Sequence, residues 1–125
     1  ILPGPRPASA FGFSQAIDST WKAYQKSSGR RRADRNDFGD AMDFIGWYND
    51  QSQNINNISK TDAYNLYLAY HEGHGGFRKR SFKRKQWLKN VAEKVSSRSD
   101  LYARQLQNCE RNLNRGFLRG LLSQR

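Results

Sequence analysis

Residues 64–77 read Y-N-L-Y-L-A-Y-H-E-G-H-G-G-F, and this stretch decides the fold of the chain. Its first half is apolar at nearly every position, a pattern that predicts a helix buried on all sides within a core. Gly73, Gly75 and Gly76 follow and predict the end of that helix. Glu72 therefore stands at the end of a buried helix, where a carboxylate is uncommon.

The rest of the chain also has helical apolar periodicity, and no proline follows Pro7. We therefore expect an all-α fold, a lysozyme-like helical domain with a long C-terminal helix, in a single domain over residues 1–125 that opens with an extended leader over 1–10. The predicted elements are a helix over 14–26, a loop over 30–36, a helix from the cap Asp37 to residue 49, a connector over 50–60, a helix over 63–71 capped by Thr61 or Asp62, and a helix over 83–114 with a frayed amphipathic extension over 115–125.

Apolar stripes on two of these helices predict which side chains face the core. On the second helix we expect Phe38, Ala41, Ile45 and Tyr48 to form the stripe, with Phe44 and Trp47 widening it. On the last helix the predicted stripe consists of Leu88, Val91, Val95, Tyr102, Leu106, Cys109 and Leu113.

The charge balance predicts the kind of partner. Lys and Arg number 22 against 11 Asp and Glu, which gives a formal net charge of +11. Such a surface favours polyanions: nucleic acid, an anionic membrane or acidic cell-wall polymer. The single Cys109 excludes an internal disulfide framework, and no apolar run reaches the ~18 residues of a membrane span.

His71 and His74 raise the question of a metal. Zinc peptidases place two histidines four residues apart on one helical face, whereas here they are three apart with glycines ending the helix. A third ligand is not evident nearby. We expect neither a metal nor a cofactor, and we expect His74 to be a structural residue of the turn.

Glu72 is the candidate for acid catalysis. Cleavage of a glycosidic bond needs a carboxylic acid that keeps its proton near neutral pH, and burial among apolar groups raises a carboxyl pKa in that direction. The aromatic sequence before Glu72 predicts such surroundings. The aspartates that precede it have the positions of helix caps or surface charges, so no second catalytic carboxylate is predicted.

Three segments in order resemble the lysozyme-like catalytic domain of the soluble-lytic-transglycosylase superfamily, in a divergent bacterial envelope branch. Residues 10–20, A-F-G-F-S-Q-A-I-D-S-T, are similar to A-x-G-L-M-Q-x-M-P-x-T. Residues 37–48, D-F-G-D-A-M-D-F-I-G-W-Y, are similar to the following N-I-x-A-G-x-x-Y-L helix. Residues 68–75, L-A-Y-H-E-G-H-G, are similar to L-A-A-Y-N-A-G-P-G, with Tyr70 on the family tyrosine.

This resemblance implies a peptidoglycan lytic transglycosylase that cuts the MurNAc–GlcNAc bond and leaves an anhydro-muramoyl end. It implies substrate-binding roles for Phe13, Ser14, Gln15, Tyr70 and His71. Glu72, the catalytic candidate from the residues themselves, falls by this alignment on the Ala of Y-N-A-G, a position in the cleft wall. The family places its general acid in an E-S dipeptide before the G-L-M-Q segment, and no glutamate precedes Glu72 here. Two alternatives follow: the acid lies on a helix upstream of Ile1, or Glu72 performs the role.

The partners expected are peptidoglycan glycan strands, met by a monomer in the periplasm or cell envelope. A catalytically silent glycan-binding module of the same fold is one alternative. A basic helical nucleic-acid binder is another, because residues 78–89, R-K-R-S-F-K-R-K-Q-W-L-K, place seven basic residues around Phe82 and Trp87. Nucleic acid is not the expected partner, since nucleic-acid binding would not explain the H-E-G-H-G-G turn.

Overall fold

The structure, a computed structural model, describes residues 9–123, and over that range the chain is all-helical. Its elements are α1 Asp18–Ser28, α2 Phe38–Asn56, α3 Ala63–Arg78, a 3-10 helix Ser81–Arg84 and α4 Gln86–Ser123. The predicted fold class and the long last helix are confirmed. The predicted leader falls largely on residues outside the described range.

The start of α1 and the end of α2 differ from the predictions. The first helix begins at Asp18, not at residue 14, because residues 11–16 form a tight turn. The second continues to Asn56, past the predicted end at 49, and its buried positions Ala41, Phe44, Tyr48 and Ser52 keep helical spacing through that extension. Ser52 is fully buried although it is polar. A serine at a core position interrupts the apolar periodicity, and residues 50–60 were therefore predicted to be a connector.

The core between α1 and α2 is aromatic. Trp21 and Tyr24 of α1 pack on Phe44 of α2 with ring centroids 5.2 and 5.4 Å apart. Tyr48 extends this cluster toward α3, where the ring of Tyr70 lies 5.0 Å from it. Side chains that interlock in this way fix the spacing of the three helices, and they hold Tyr70 at the point where α3 meets the N-terminal turn.

The third helix is the central one, packed against both α2 and α4. Asp62 caps it by accepting a hydrogen bond from the Asn65 N–H at 3.1 Å, as predicted, and Leu66, Leu68 and Ala69 are buried. The predicted break occurs at Gly73, whose φ of 77° is not helical. Beyond this kink the helix resumes to Arg78, so the glycines bend it and do not end it.

Only the first part of α4 belongs to the core. Leu88 and Ala92 are fully buried and cluster with Leu68. The prediction that Tyr102, Leu106 and Leu113 also face the core is wrong: all three are exposed, Leu106 by 60%. The amphipathic pattern of α4 extends beyond the region where α3 and the 3-10 helix pack against it. The C-terminal part of the helix is therefore exposed to solvent.

Candidate functional site

A tight turn at residues 11–16 carries the Gln15 segment. The Phe11 N–H donates to the Ala16 carbonyl at 3.2 Å, and the Gln15 side-chain amide donates to the Gly12 carbonyl at 2.8 Å. Gly12 has a φ of 77° and Gln15 a φ of 54°, both in the left-handed region that side chains disfavour. Gln15, which lies within the predicted helix over 14–26, is therefore part of a folded loop that precedes α1.

Arg35 holds this turn in place. It donates hydrogen bonds from Nη1 to the carbonyls of Ser9 and Ala16, both at 3.0 Å, and its Nη2 lies 2.8 Å from an Asp18 carboxylate oxygen. Its own carbonyl accepts from the Phe13 N–H at 3.1 Å. A Cβ at position 12 would stand 2.1 Å from that carbonyl oxygen, so only glycine fits.

Sequence reasoning missed Arg35, which it assigned to a basic loop. Charge alone does not separate Arg35 from its neighbours Arg30, Arg31 and Arg32. The sequence therefore offers no signal for the role of Arg35.

Tyr70 joins α3 to the turn. Its Oη donates to the carbonyl oxygen of Ser14 at 2.7 Å, between residues 56 apart in sequence. Burial raises the pKa of Tyr70 to about 12, so the phenol keeps the proton that it donates. Two of the segments that carry the family resemblance, those of Ser14 and Tyr70, are thus in direct contact.

Glu72 lies just beyond Tyr70 with its side chain only 8% exposed. One carboxylate oxygen lies 2.8 Å from Lys85 Nζ, and the other accepts hydrogen bonds from Lys85 Nζ at 3.0 Å and Ser81 Oγ at 2.9 Å. Burial raises the pKa of Glu72, but these hydrogen bonds and the Lys85 charge lower it by more, so the net shift is downward. The expected rise of this pKa is therefore wrong, because the sequence did not place Lys85 against the carboxylate.

His71 faces the same side as Glu72. Its Nδ1 lies 3.8 Å from a Glu72 carboxylate oxygen, and its ring meets Trp87 edge-on at 5.3 Å between centroids. Burial lowers the pKa of His71, which favours the neutral imidazole. Trp87 is 39% exposed, whereas Phe82 stacks on Phe77.

His74 is a structural residue, as predicted. Its ring stacks on Tyr48 at 4.4 Å between centroids, and its carbonyl accepts a hydrogen bond from the Asn56 amide at 3.2 Å. Among residues 9–123 no group of three or more His, Cys, Asp or Glu side chains is arranged to hold a metal ion.

The five predicted substrate-binding residues divide into two groups. Tyr70 contacts Ser14 directly, Gln15 follows Ser14 in the same turn, and His71 follows Tyr70 on α3. Phe13 is exposed and meets Phe38 edge-on at 5.8 Å. Phe38 is itself 61% exposed, so its predicted place in the core-facing stripe of α2 is wrong. The two rings instead form an aromatic pair on the surface beside the turn.

Hydrogen-bonding capacity remains at the junction. Ser14 Oγ, Gln15 Oε1 and His71 Nδ1 are buried and have no hydrogen-bond partner among the described residues. Most buried polar atoms are paired in folded proteins, so three unpaired atoms in two converging segments are notable. The exposed ring of Phe13 beside the turn is a surface on which a sugar ring can pack.

An all-α domain with a glycine-kinked central helix, joined by a tyrosine to a glycine- and glutamine-containing turn, has the architecture of a lysozyme-like domain. The chain belongs to the transglycosylase SLT domain family, whose family model matches residues 1–109. No curated protein and no solved structure gives a significant match. Peptidoglycan is the substrate that this family membership implies.

Across residues 9–123 none of the helices has the length and apolarity needed to cross a membrane. In the basic stretch 78–89, Lys85 is engaged by Glu72 and Phe82 is packed on Phe77. Arg78, Lys79, Arg80, Lys83 and Arg84 are exposed. The stretch runs from the end of α3 through the 3-10 helix to the start of α4. Most of its basic side chains are solvated, and the ring of Trp87 lies against His71.

Proposed function

We propose that this domain cleaves the glycan strands of peptidoglycan as a lytic transglycosylase, at the bond between MurNAc and GlcNAc. Membership of the family supports the class of substrate. The observation that carries the proposal is the 2.7 Å hydrogen bond from Tyr70 to Ser14, because it brings the Gln15 turn and the Glu72 segment into one surface. Gln15 and Tyr70 orient the sugar, and Phe13, Ser14 and His71 line its path.

The proposed reaction uses one carboxyl group twice. As an acid, Glu72 protonates the bridging oxygen while the bond from that oxygen to the muramoyl C1 breaks. As a base, it then takes the proton of the muramoyl C6 hydroxyl while that oxygen bonds to C1 and closes the anhydro ring. The nucleophile belongs to the substrate, and proximity supplies much of the rate. No second carboxylate is needed, consistent with a single buried glutamate at the junction.

The ion pair with Lys85 sets a condition on this role, because a carboxylate that has lost its proton cannot donate one. We propose that the glycan strand displaces Lys85, whose side chain is 39% exposed and follows a short 3-10 helix. Carboxylates on the peptide stems of peptidoglycan are suitable new partners for it. Burial is the largest influence on the Glu72 pKa and acts upward, so departure of Lys85 would raise the pKa of Glu72 and favour its protonated form.

The test is digestion of purified sacculi followed by mass spectrometry of the released fragments. We expect products with anhydro-muramoyl ends, which are one water lighter than hydrolysis products and resist borohydride reduction. Glu72→Gln keeps the shape of the side chain and should lower the rate by about 100-fold or more, the scale of general acid catalysis. Glu93→Gln, an exposed glutamate of α4, is the matched control and should leave the rate unchanged.

Three outcomes would contradict parts of this proposal. Reducible ends would indicate hydrolysis. Binding of sacculi without release would indicate the alternative class, a silent glycan-binding module. Full activity in Glu72→Gln would mean that another carboxyl group donates the proton, the other alternative that the sequence left open. The family also favours a location outside the cytoplasm, and we propose the periplasm or cell envelope.

A further inference from the structure

The last turns of α4 have an apolar surface that the domain does not use. Phe117, Leu118, Leu121 and Leu122 are each 51–68% exposed, although they lie in a continuous helix. The family match ends at residue 109, so these turns lie outside the part of the chain that matches the family. A cluster of large exposed apolar side chains usually marks a binding surface.

The four side chains form two neighbouring rows. Phe117 and Leu121 are four residues apart, as are Leu118 and Leu122, and each pair therefore lies along one ridge of the helix. At about 100° per residue the four positions span about 140° of the helix circumference. The apolar face is therefore broad, and it is wider than the narrow seam that one partner helix covers.

A third row is basic. Arg111, Arg115 and Arg119 are spaced four residues apart, and their row runs along the edge of the row formed by Leu118 and Leu122. No Asp or Glu follows Glu110 in the sequence. Guanidinium groups at the border of an apolar face can reach outward while their stems stay on apolar surface.

We propose that residues 111–123 bind the surface of an anionic lipid bilayer, with the apolar rows in the acyl boundary and the arginine row among the headgroups. A broad apolar face and flanking cations are the features of a helix that lies in the membrane interface. A second copy of this chain fits less well. A coiled coil would need apolar side chains to continue at the spacing of Leu106 and Leu113, but the next positions at that spacing are Gly116 and Gly120, which offer no side chain to interlock. Two arginine-rich helices would also repel each other.

Vesicle flotation tests this proposal with the full chain. We expect the protein to float with vesicles of phosphatidylcholine and phosphatidylglycerol in equal parts, and to stay below with phosphatidylcholine alone. Binding should weaken as salt is raised. On the anionic vesicles, Leu118→Ser with Leu122→Ser should reduce the bound fraction at least tenfold, and Arg115→Gln with Arg119→Gln should reduce it and make the remaining binding less sensitive to salt.

Matched controls come from other exposed residues of the chain. Ile55→Ser removes an exposed apolar side chain from α2, and Lys22→Gln with Lys26→Gln removes two exposed charges from α1; both should leave binding within twofold. Absence of flotation on the anionic vesicles would overturn the proposal. So would sedimentation showing that the leucine variants abolish a lipid-independent dimer, because the apolar face would then belong to a second copy.

Discussion

The Tyr70 hydroxyl and the Ser14 carbonyl oxygen are 2.7 Å apart, and the hydrogen bond between them closes a loop of 56 residues. The bond orders a turn that contains two residues with positive φ, Gly12 and Gln15. Such conformations persist only where the surroundings fix them. The position of Gln15 in the candidate site thus depends on a side chain from the central helix.

Tyr70→Phe should therefore lower stability without disturbing the aromatic core. It leaves the buried Ser14 carbonyl without a partner, and the free energy of unfolding should fall by about 1–3 kcal/mol. Urea denaturation followed by circular dichroism measures this change. Tyr102→Phe removes the hydroxyl of an exposed tyrosine and should stay within about 0.5 kcal/mol. Equal effects of the two variants would show that the Tyr70 bond does not stabilise the turn.

Gly12→Ala tests the close approach of Arg35 to the turn. Both Gly12 and Gly29 have φ near 75°, but an added Cβ meets the Arg35 carbonyl at 2.1 Å only at position 12, whereas Gly29 has open space. Gly29→Ala should cost about 1–2 kcal/mol, the price of the left-handed conformation alone. Gly12→Ala should cost clearly more and also weaken binding to sacculi. If the two losses are equal, the clash with Arg35 is absent.

Much of the fold could be predicted from the sequence, and the reasons are local. Asp37 and Asp62 cap helices where they were expected, because a carboxylate just before a helix can accept a hydrogen bond from a free backbone N–H of its first turn. Gly73 bends α3 as its lack of a side chain allows. The exposed half of α4 could not be predicted, since periodicity shows which residues share a face and not how far along the helix a partner extends.

The contact between two segments of the candidate site could be predicted from the sequence, but the electrostatics of Glu72 could not. The convergence of Ser14 and Tyr70 followed from the order of three family-like segments. The partner of Glu72 did not, because Lys85 is one of seven basic residues in 78–89 and nothing in that stretch distinguishes it. The contact with Lys85 is a large part of what lowers the pKa of Glu72, together with the Ser81 hydrogen bond. Sequence can therefore identify a buried carboxylate and still give the wrong direction for its pKa.

Lys85→Met should raise the pKa of Glu72. The downward effect of Lys85 is removed while burial of the carboxylate remains. In the unaltered protein the lowered pKa contributes stability above pH about 4.5 that is lost as pH falls through the folded-state pKa; in the variant this acid-dependent loss of stability should be smaller. Carboxyl carbon chemical shifts followed by NMR titration report the pKa directly.

Lys83→Met is the control for that titration, since Lys83 is an exposed basic residue of the same segment. It should leave the Glu72 titration where it is. If Glu72 donates the proton in catalysis, Lys85→Met should also move the upper limb of the activity–pH profile to higher pH. An unchanged Glu72 titration in Lys85→Met would mean that the ion pair does not control this carboxylate.

His74 should make stability depend on pH in a separate window. Burial, with a smaller effect from Arg78, lowers its pKa below 6.5. Between the lowered pKa and 6.5 the unfolded chain binds more protons, so stability is greatest above about pH 6.5 and falls as the solution is acidified. His74→Gln should remove up to about 1.4 kcal/mol per pH unit from that slope. An unchanged slope between pH 5 and 6.5 would contradict this assignment to His74.

Truncation of two leucines on one face of α4 tests where the folded domain ends. Leu88 is fully buried beside Leu68, and Leu88→Ala should cost about 2–5 kcal/mol. Leu106 lies on the same face, five turns along the helix, but is 60% exposed, so Leu106→Ala should change the free energy of unfolding by less than about 0.5 kcal/mol. Urea denaturation at two protein concentrations measures both. A large loss at Leu106 that grows with concentration would mean that a second chain covers this face; a loss independent of concentration would mean that the outer half of α4 folds back onto its own domain.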